Sequence, residues 1–198
     1  MPFNRRSFLT RSGLFAASTS AFGWTGASLA AEVAAARPGQ KPRNIIHMVS
    51  DGLSMGTLCA ADHLSQLTRG RGLTCIELYK QPAAVNGLMN MRSLNSLVTD
   101  SSAASSSWGS GSRIVNGMVN ILPNGKTLKP LYSLFAEQGW KRGLVTTTEI
   151  THATPAGFAA SGLKRDAADP IAVQYLERKV DVLLGGGRDK FDPAKRKD

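Results

Sequence analysis

Histidine is scarce in this 198-residue sequence: there are three, His47, His63 and His152. Zinc sites draw imidazoles, thiolates and carboxylates together in threes and fours, and no cluster along this chain can supply two of them. Cysteine is scarcer still. Cys59 and Cys75 are too few for a disulfide framework. Neither has metal-ligand spacing to a histidine, which excludes a zinc-finger type of site. They read as two buried free thiols. Long apolar runs are missing too, so a stable membrane-spanning helix or permanent anchor is not expected. Acidic residues number 14 against 24 basic ones, a net charge of +10. A basic chain can attract phosphate esters or nucleic acid. Five of the bases crowd the end of the sequence: Arg188, Lys190, Lys195, Arg196 and Lys197. No base-stacking pattern accompanies them, so the run reads as a solvated face or truncated loop and no nucleic-acid partner is expected. The 42% hydrophobic and 19% charged content places the chain among globular proteins, with length enough for one domain.

The first thirty residues read as an export signal rather than as fold. Arg5-Arg6 is followed by Ser7-Phe8-Leu9, in the manner of a twin-arginine signal. A weakly apolar stretch runs from Ser12 to about Gly26, and Ser28-Leu29-Ala30 offers the small residues a signal peptidase needs. Cleavage is expected after Ala30, with delivery to the periplasm or outside the cell. Residues 31–42, with Pro38, Gly39 and Pro42, read as a linker. Residues 43–198 then form the folded part.

That part alternates strand and helix patterns. Asn44–Ser50 is a short, mostly apolar run closed by the turn pair Asp51-Gly52, the pattern of a buried strand that carries His47 and delivers Asp51 at its carboxyl end. Met55–Leu67 reads as a helix. Asn95–Thr99 reads as a strand or an extended approach. Asp100 is a good helix start before a Ser/Ala-rich segment. A helix follows over Leu131–Gln138, stopped by Gly139, then a strand over Arg142–Thr148. Pro155 opens a further helix, and Asp169-Pro170 another to about Lys179. Val180–Leu184 is a third strand, closed by Gly185-Gly186-Gly187. This order predicts an α/β fold, a largely parallel sheet flanked by helices. Ligands gather at the carboxyl ends of such strands.

The chemistry concentrates in Thr99-Asp100-Ser101-Ser102-Ala103-Ala104-Ser105, followed by Trp108-Gly109-Ser110-Gly111. A serine hydroxyl at a helix N-terminus is a candidate nucleophile, because the helix end favours the oxyanion and offers N–H groups to phosphate oxygens. On the residues alone, Ser101 and Ser102 both qualify, and most serine-rich helix starts are ordinary caps.

This segment resembles the nucleophile motif of the alkaline phosphatase family. Two more blocks resemble that family in the same order, Arg43–Gly52 and Thr146–Gly157, and a weaker match covers Asp181–Gly187. The resemblance implies an alkaline-phosphatase-like fold and hydrolysis of phosphate monoesters through a phosphoserine, with zinc and magnesium as cofactors. It assigns the nucleophile to Ser101, whose oxygen also faces metal, with Ser102 left open as a one-residue slip. Asp51 matches a carboxylate bridging zinc and magnesium. Thr154 matches a magnesium ligand, and His152 a position near the magnesium where members vary between histidine and an acid. Arg165 lies eleven positions beyond Thr154 and matches the phosphate-clamping arginine, with Lys164 as the neighbouring alternative. Asp100 matches the residue that orients that arginine. The resemblance also allows a homodimer.

The family's remaining ligands belong to a later part of the chain than this sequence contains. The tail Phe191–Asp198 reads as a loop cut midway, so an incomplete, N-terminal portion of the domain is expected, inactive by itself. Two other functions stay in view. One is a catalytically dead remnant that binds phosphate or metal. The other is a related hydrolase, such as a phosphodiesterase or sulfatase, or a metal-dependent mutase of the same superfamily.

Overall fold

The computed structural model describes residues 43–195. The expected signal and the whole of the linker, residues 31–42, lie outside the described residues. The chain divides into two units after Ile46. Of the first, Arg43–Ile46 is described, exposed and in neither helix nor strand.

The second unit begins in an extended run that reaches the turn at Asp51-Gly52. The buried strand expected over residues 44–50 is not formed. Every residue from 43 to 50 is exposed, Met48 at 83%. Strands are stabilised by partners across the ladder and over the face, and among the described residues no strand pairs with this run. His47 is accordingly exposed, its ring 4.9 Å from Trp108 and 5.3 Å from Phe158. The two cysteines are free, as expected, yet both are exposed rather than buried. Residues 95–99 are also outside any strand.

Apart from Thr74–Tyr79, where the sequence pattern gives no helix, the helices follow the expected pattern closely. Helix α1, Met55–Arg69, starts at Ser54, whose hydroxyl accepts from the Thr57 amide, and ends at Gly70 in the left-handed conformation. Helix α2 is Thr74–Tyr79. Helix α3, Ser101–Ser110, is capped by Asp100 and stopped by Gly111 at φ +71°. Helix α4, Leu131–Glu137, follows Pro130. Strand β1, Gly143–Glu149, leads into helix α5, Ala153–Ala159. Helix α6, Ala168–Glu177, returns the chain to strand β2, Val182–Gly186. A 3-10 turn covers Arg188–Phe191.

Strands β1 and β2 pair in parallel, with Leu144 opposite Leu183 and Val145 opposite Leu184. The α5–α6 crossover between them is the connection a parallel pair requires. Leu144 points into a core of Val119, Ile150, Ala156, Phe158, Ile171 and Tyr175. Burying one such aliphatic chain contributes about 1.5–3 kcal/mol. Tyr175 is fully buried and its hydroxyl donates to the Ile150 carbonyl at 3.1 Å, so its polar end is satisfied. The opposite face of the strand pair carries Val145 and Leu184, 75% and 57% exposed. The chain is therefore α/β, with the parallel strands and flanking helices the sequence predicts.

Candidate functional site

The site forms where three chain segments meet: the Asp51 turn, the start of α3, and the start of α5. Gly52 sits at φ +70°, a conformation glycine adopts without Cβ strain, so the chain can reverse directly after Asp51. Serine is a poor helix former because its hydroxyl competes for backbone groups. In α3 the hydroxyls are turned to use. Ser107 donates to the Ala103 carbonyl at 2.9 Å and Ser110 to that of Ser106 at 2.7 Å. Ser105 reaches across to the Ala153 carbonyl of α5 at 2.9 Å.

Asp100 organises the start of α3. Its Oδ1 accepts from the Ala103 amide at 2.8 Å, as an N-cap does. Its carboxylate also accepts from the Ser102 hydroxyl at 2.8 Å and the Gly117 amide at 2.8 Å. Arg165 Nη1 donates to Asp100 Oδ2 at 3.1 Å. Burial by itself would raise the Asp100 pKa, but the bonds from Ala103, Ser102, Gly117 and Arg165 outweigh it and hold the carboxyl below its ordinary value. Such a group stabilises the fold fully above its unfolded pKa, about 3.9, and that contribution is lost as pH falls through the lower folded value. Asp100→Asn keeps a capping oxygen but removes this titration. Urea midpoints measured from about pH 5 down to about pH 2 should therefore fall more steeply for the parent than for the variant.

The two serines differ sharply. Ser102 is fully buried, and its hydroxyl is held by both oxygens of Asp100 at 2.8 Å. Ser101 is more exposed, and its hydroxyl donates to Asp51 Oδ2 at 2.8 Å. The Thr154 hydroxyl donates to the same Asp51 oxygen at 3.1 Å. Two hydroxyls and one carboxylate thus converge from positions far apart in sequence. Thr154 gets there because β1 ends at Glu149 and α5 starts at once, through His152 N–H to the Glu149 carbonyl at 3.0 Å. This is the carboxyl end of a parallel strand, where α/β folds place ligands.

Arg165 is half-buried beside the site, and its own amide donates to the Gly117 carbonyl at 2.8 Å. The neighbouring Lys164 is exposed. His152 Nε2 lies 3.4 Å from Arg165 Nη2, and its Nδ1 is buried without a hydrogen-bond partner. So the structure brings Asp51, Ser101 and Thr154 onto one oxygen, and groups Asp100, Arg165 and His152 beside the α3 start. His47 and His63 take no part in these contacts.

The donor set bears on which metals it can hold. Asp51, Ser101 and Thr154 offer oxygen alone, the ligand type of a hard cation such as magnesium. Among the described residues no group of three or more His, Cys, Asp and Glu side chains stands close enough to hold a metal ion. A two-zinc site does not fit the residues present.

Some supporting residues carry no signal of their role in the sequence. Asn116 fastens the approach to α3: its amide nitrogen donates to the Val98 carbonyl at 3.0 Å, and its Oδ1 accepts from the Asp100 amide at 3.1 Å. An Asn-Gly pair marks a turn, which locates Asn116 but not its task. Gly109 and Gly157 stand where α3 and α5 touch. A Cβ on Gly109 would lie 1.9 Å from the Gly157 carbonyl oxygen.

Comparison with known proteins gives one consistent result. The family model described as Alkaline phosphatase matches residues 42–198. An alkaline phosphatase of Schizosaccharomyces pombe is 34% identical over 161 residues, which cover 78% of this chain and 29% of that protein. Alkaline phosphatase 4 of Bacillus subtilis is 34% identical over 162 residues, covering 78% of this chain and 35% of its own. The crystal structure of Thermus thermophilus alkaline phosphatase superposes with a TM-score of 0.69 at 44% identity, over 74% of this chain and 31% of that one. A histidine-to-glutamate variant of the TAB5 alkaline phosphatase, with magnesium bound in its M3 site, superposes with a TM-score of 0.59 at 30% identity, over 70% of this chain and 38% of that one. The chain spans about one third of the length of the curated relatives it matches.

Proposed function

Since the chain belongs to the alkaline phosphatase family, we propose that it carries the nucleophile-bearing part of a phosphate monoester hydrolase. The observation that supports this most is the pairing of Ser101 with Asp51 at the N-terminus of α3, with Ser102 committed to Asp100. Ser101 is the nucleophile. Its oxygen forms a bond to phosphorus, the bond from phosphorus to the ester oxygen breaks, and the alcohol leaves with a proton from solvent. Asp51 Oδ2 is placed to hold the Ser101 proton as the oxygen attacks. Arg165, its guanidinium anchored by Asp100, presents N–H donors to two phosphate oxygens and offsets their charge in the transition state. Water then attacks phosphorus, the bond from phosphorus to Ser101 Oγ breaks, Oγ takes its proton back from Asp51, and inorganic phosphate leaves with the water's oxygen as the water's proton passes to solvent.

Asp51 and Thr154 are the residues that would hold magnesium, with His152, two positions before Thr154, as a further candidate beside them. When bound, magnesium would supply positive charge to the Asp51 side of the phosphate. The zinc chemistry of the family has no ligand set among the described residues.

The reading is tested with three esters. A chimaera in which residues 43–195 replace the matching third of the Thermus thermophilus enzyme is expected to favour a phosphate monoester. A preference for the diester or the sulfate ester would shift it to a phosphodiesterase or a sulfatase. A second reading, a binding remnant without turnover, is favoured because no metal-ligand cluster stands among the described residues. It predicts that the 198-residue chain binds inorganic phosphate through Arg165 without hydrolysing esters. Loss of phosphate binding in Arg165→Ala, measured by calorimetry, checks it.

Export is proposed on Arg5-Arg6 and the segment that follows. Changing both arginines to lysine is expected to leave the protein in the cytoplasm. Fractionation that finds the double variant outside the inner membrane, in the same amount as the parent, would remove the twin-arginine route.

A further inference from the structure

Helices α3 and α5 carry the two hydroxyls that meet on Asp51, yet the surface between them is built from small residues. Gly109, Gly157, Ser105 and Ala153 form the contact. Small residues let backbones approach closely, but they interdigitate little, so packing alone resists sliding weakly. A register that places the Ser101 and Thr154 hydroxyls 2.8 and 3.1 Å from one oxygen needs something more directional.

Asn120 lies against both helices. It is fully buried, at φ +50°. Its backbone N–H donates to the Ser106 hydroxyl of α3 at 3.0 Å. Its side-chain amide donates to the Gly157 carbonyl of α5 and to the Ala160 carbonyl at its C-cap, each at 2.8 Å. The Gly157 carbonyl is the same group that abuts Gly109. Both acceptors are carbonyls, which fixes the amide with its nitrogen toward them, and leaves Oδ1 buried without a partner. A buried unsatisfied oxygen is costly. An apolar residue would avoid that cost but could not tie the carbonyls.

We infer that Asn120 is a positioning residue, the tie that sets the register of α3 against α5 at which the Ser101 and Thr154 hydroxyls both reach Asp51. It touches none of these three groups and acts through the two helices. The inference rests on the proposed function in taking Asp51, Ser101 and Thr154 as the centre of the site.

Thiol trapping in the full chain tests it. Cys59→Ser and Cys75→Ser clear the background, and Ser101→Cys with Thr154→Cys puts a thiol at each end of the Asp51 contact. Oxidised glutathione takes up the two electrons released as the intrachain disulfide forms, and mass spectrometry follows the rate. Asn120→Gly suits φ +50° and removes both side-chain bonds. It is expected to slow trapping about tenfold or more, the scale of two lost hydrogen bonds, while cooperative thermal unfolding persists. An unchanged trapping rate overturns the inference.

A spectroscopic measurement applies with the native hydroxyls in place. The Ser101 and Thr154 Cβ resonances report the side-chain rotamers that place the hydroxyls on Asp51 and should keep their parent positions in the surface control Lys80→Ala. They should shift in Asn120→Gly, and parent-like positions there also overturn the inference. If Asn120→Gly does not fold, Ser106→Ala, which cuts the tie on the α3 side, is read by the same two criteria. Both measurements are made without any phosphate ester. Their outcome therefore stands whatever becomes of the phosphatase reading, and their failure leaves that reading untouched.

Discussion

Gly109→Ala is expected to break apart the helix pair that carries the site. The added Cβ would stand 1.9 Å from the Gly157 oxygen and 2.7 Å from its carbonyl carbon. These are backbone atoms, so no side-chain rotation relieves the overlap. Overpacking a core ordinarily costs about 1–3 kcal/mol because side chains give way. Here α3 and α5 must separate, which also strains the Ser105 bond to Ala153 and the Asn120 bonds to α5. A loss of about 3 kcal/mol or more is a large part of a small domain's stability. Gly157→Ala approaches the same contact from the other side, with Ser105 Oγ at 2.2 Å from the new Cβ, and is expected to cost a similar amount. Denaturant unfolding measures both. As a control, Gly87→Ala meets nothing within 4 Å and should leave the midpoint near the parent's. Parent-like stability in Gly109→Ala would mean that the two helices do not touch as described.

The 198-residue chain, supplied with zinc and magnesium at alkaline pH, is expected to hydrolyse a chromogenic phosphate ester no faster than its Ser101→Ala variant. Zinc binds tightly through about four ligands, or three and a water. The centre offers one carboxylate and two hydroxyls, and the whole sequence has three histidines, of which His152 lies against Arg165 beside the centre while the His47 ring packs on Trp108 and Phe158. Without a metal-activated nucleophile and water, Ser101 remains an ordinary hydroxyl. Uncatalysed monoester hydrolysis is so slow that enzymes must supply up to about 10²¹-fold acceleration, so a partial site is indistinguishable from none. Turnover near about one per second, in the lower range of ordinary enzymes, abolished by Ser101→Ala, would show that the chain assembles a site its described residues do not contain.

Local signals made much of this architecture legible. Asp100 before a small-residue segment marked the start of α3 and Gly139 the end of α4, whereas β2 runs on through Gly185 and Gly186, two residues past its expected end. Each such mark is a property of a few adjacent residues. Asn44–Ser50 misled because a strand's stability lies in its partners. Its apolar pattern fits a buried strand, but the run has no partner among the described residues. The same holds for the cysteines: their types favour burial, and burial is decided by what packs over them.

The site divided along the same line. Asp51, Ser101, Thr154, Arg165 and His152 could be picked out because family motifs surround them. The resemblance favours Ser101 over Ser102, and the coordinates add that Asp100 holds the Ser102 hydroxyl while that of Ser101 faces Asp51. Arg165 is likewise preferred over Lys164 for its spacing from Thr154, and the coordinates add its ion pair with Asp100. Asn120 and the Gly109–Gly157 contact had no readable signal, because a close approach between helices nearly fifty residues apart leaves no local pattern.

The identity of the phosphorylated residue tests the central claim most directly. The chimaera with the Thermus thermophilus enzyme can be mixed with a phosphate monoester, quenched at low pH and digested for mass spectrometry. The account predicts one phosphoserine, at Ser101, absent in Ser101→Ala and retained in Ser102→Ala. Phosphate on Ser102, or turnover that continues in Ser101→Ala, would contradict it.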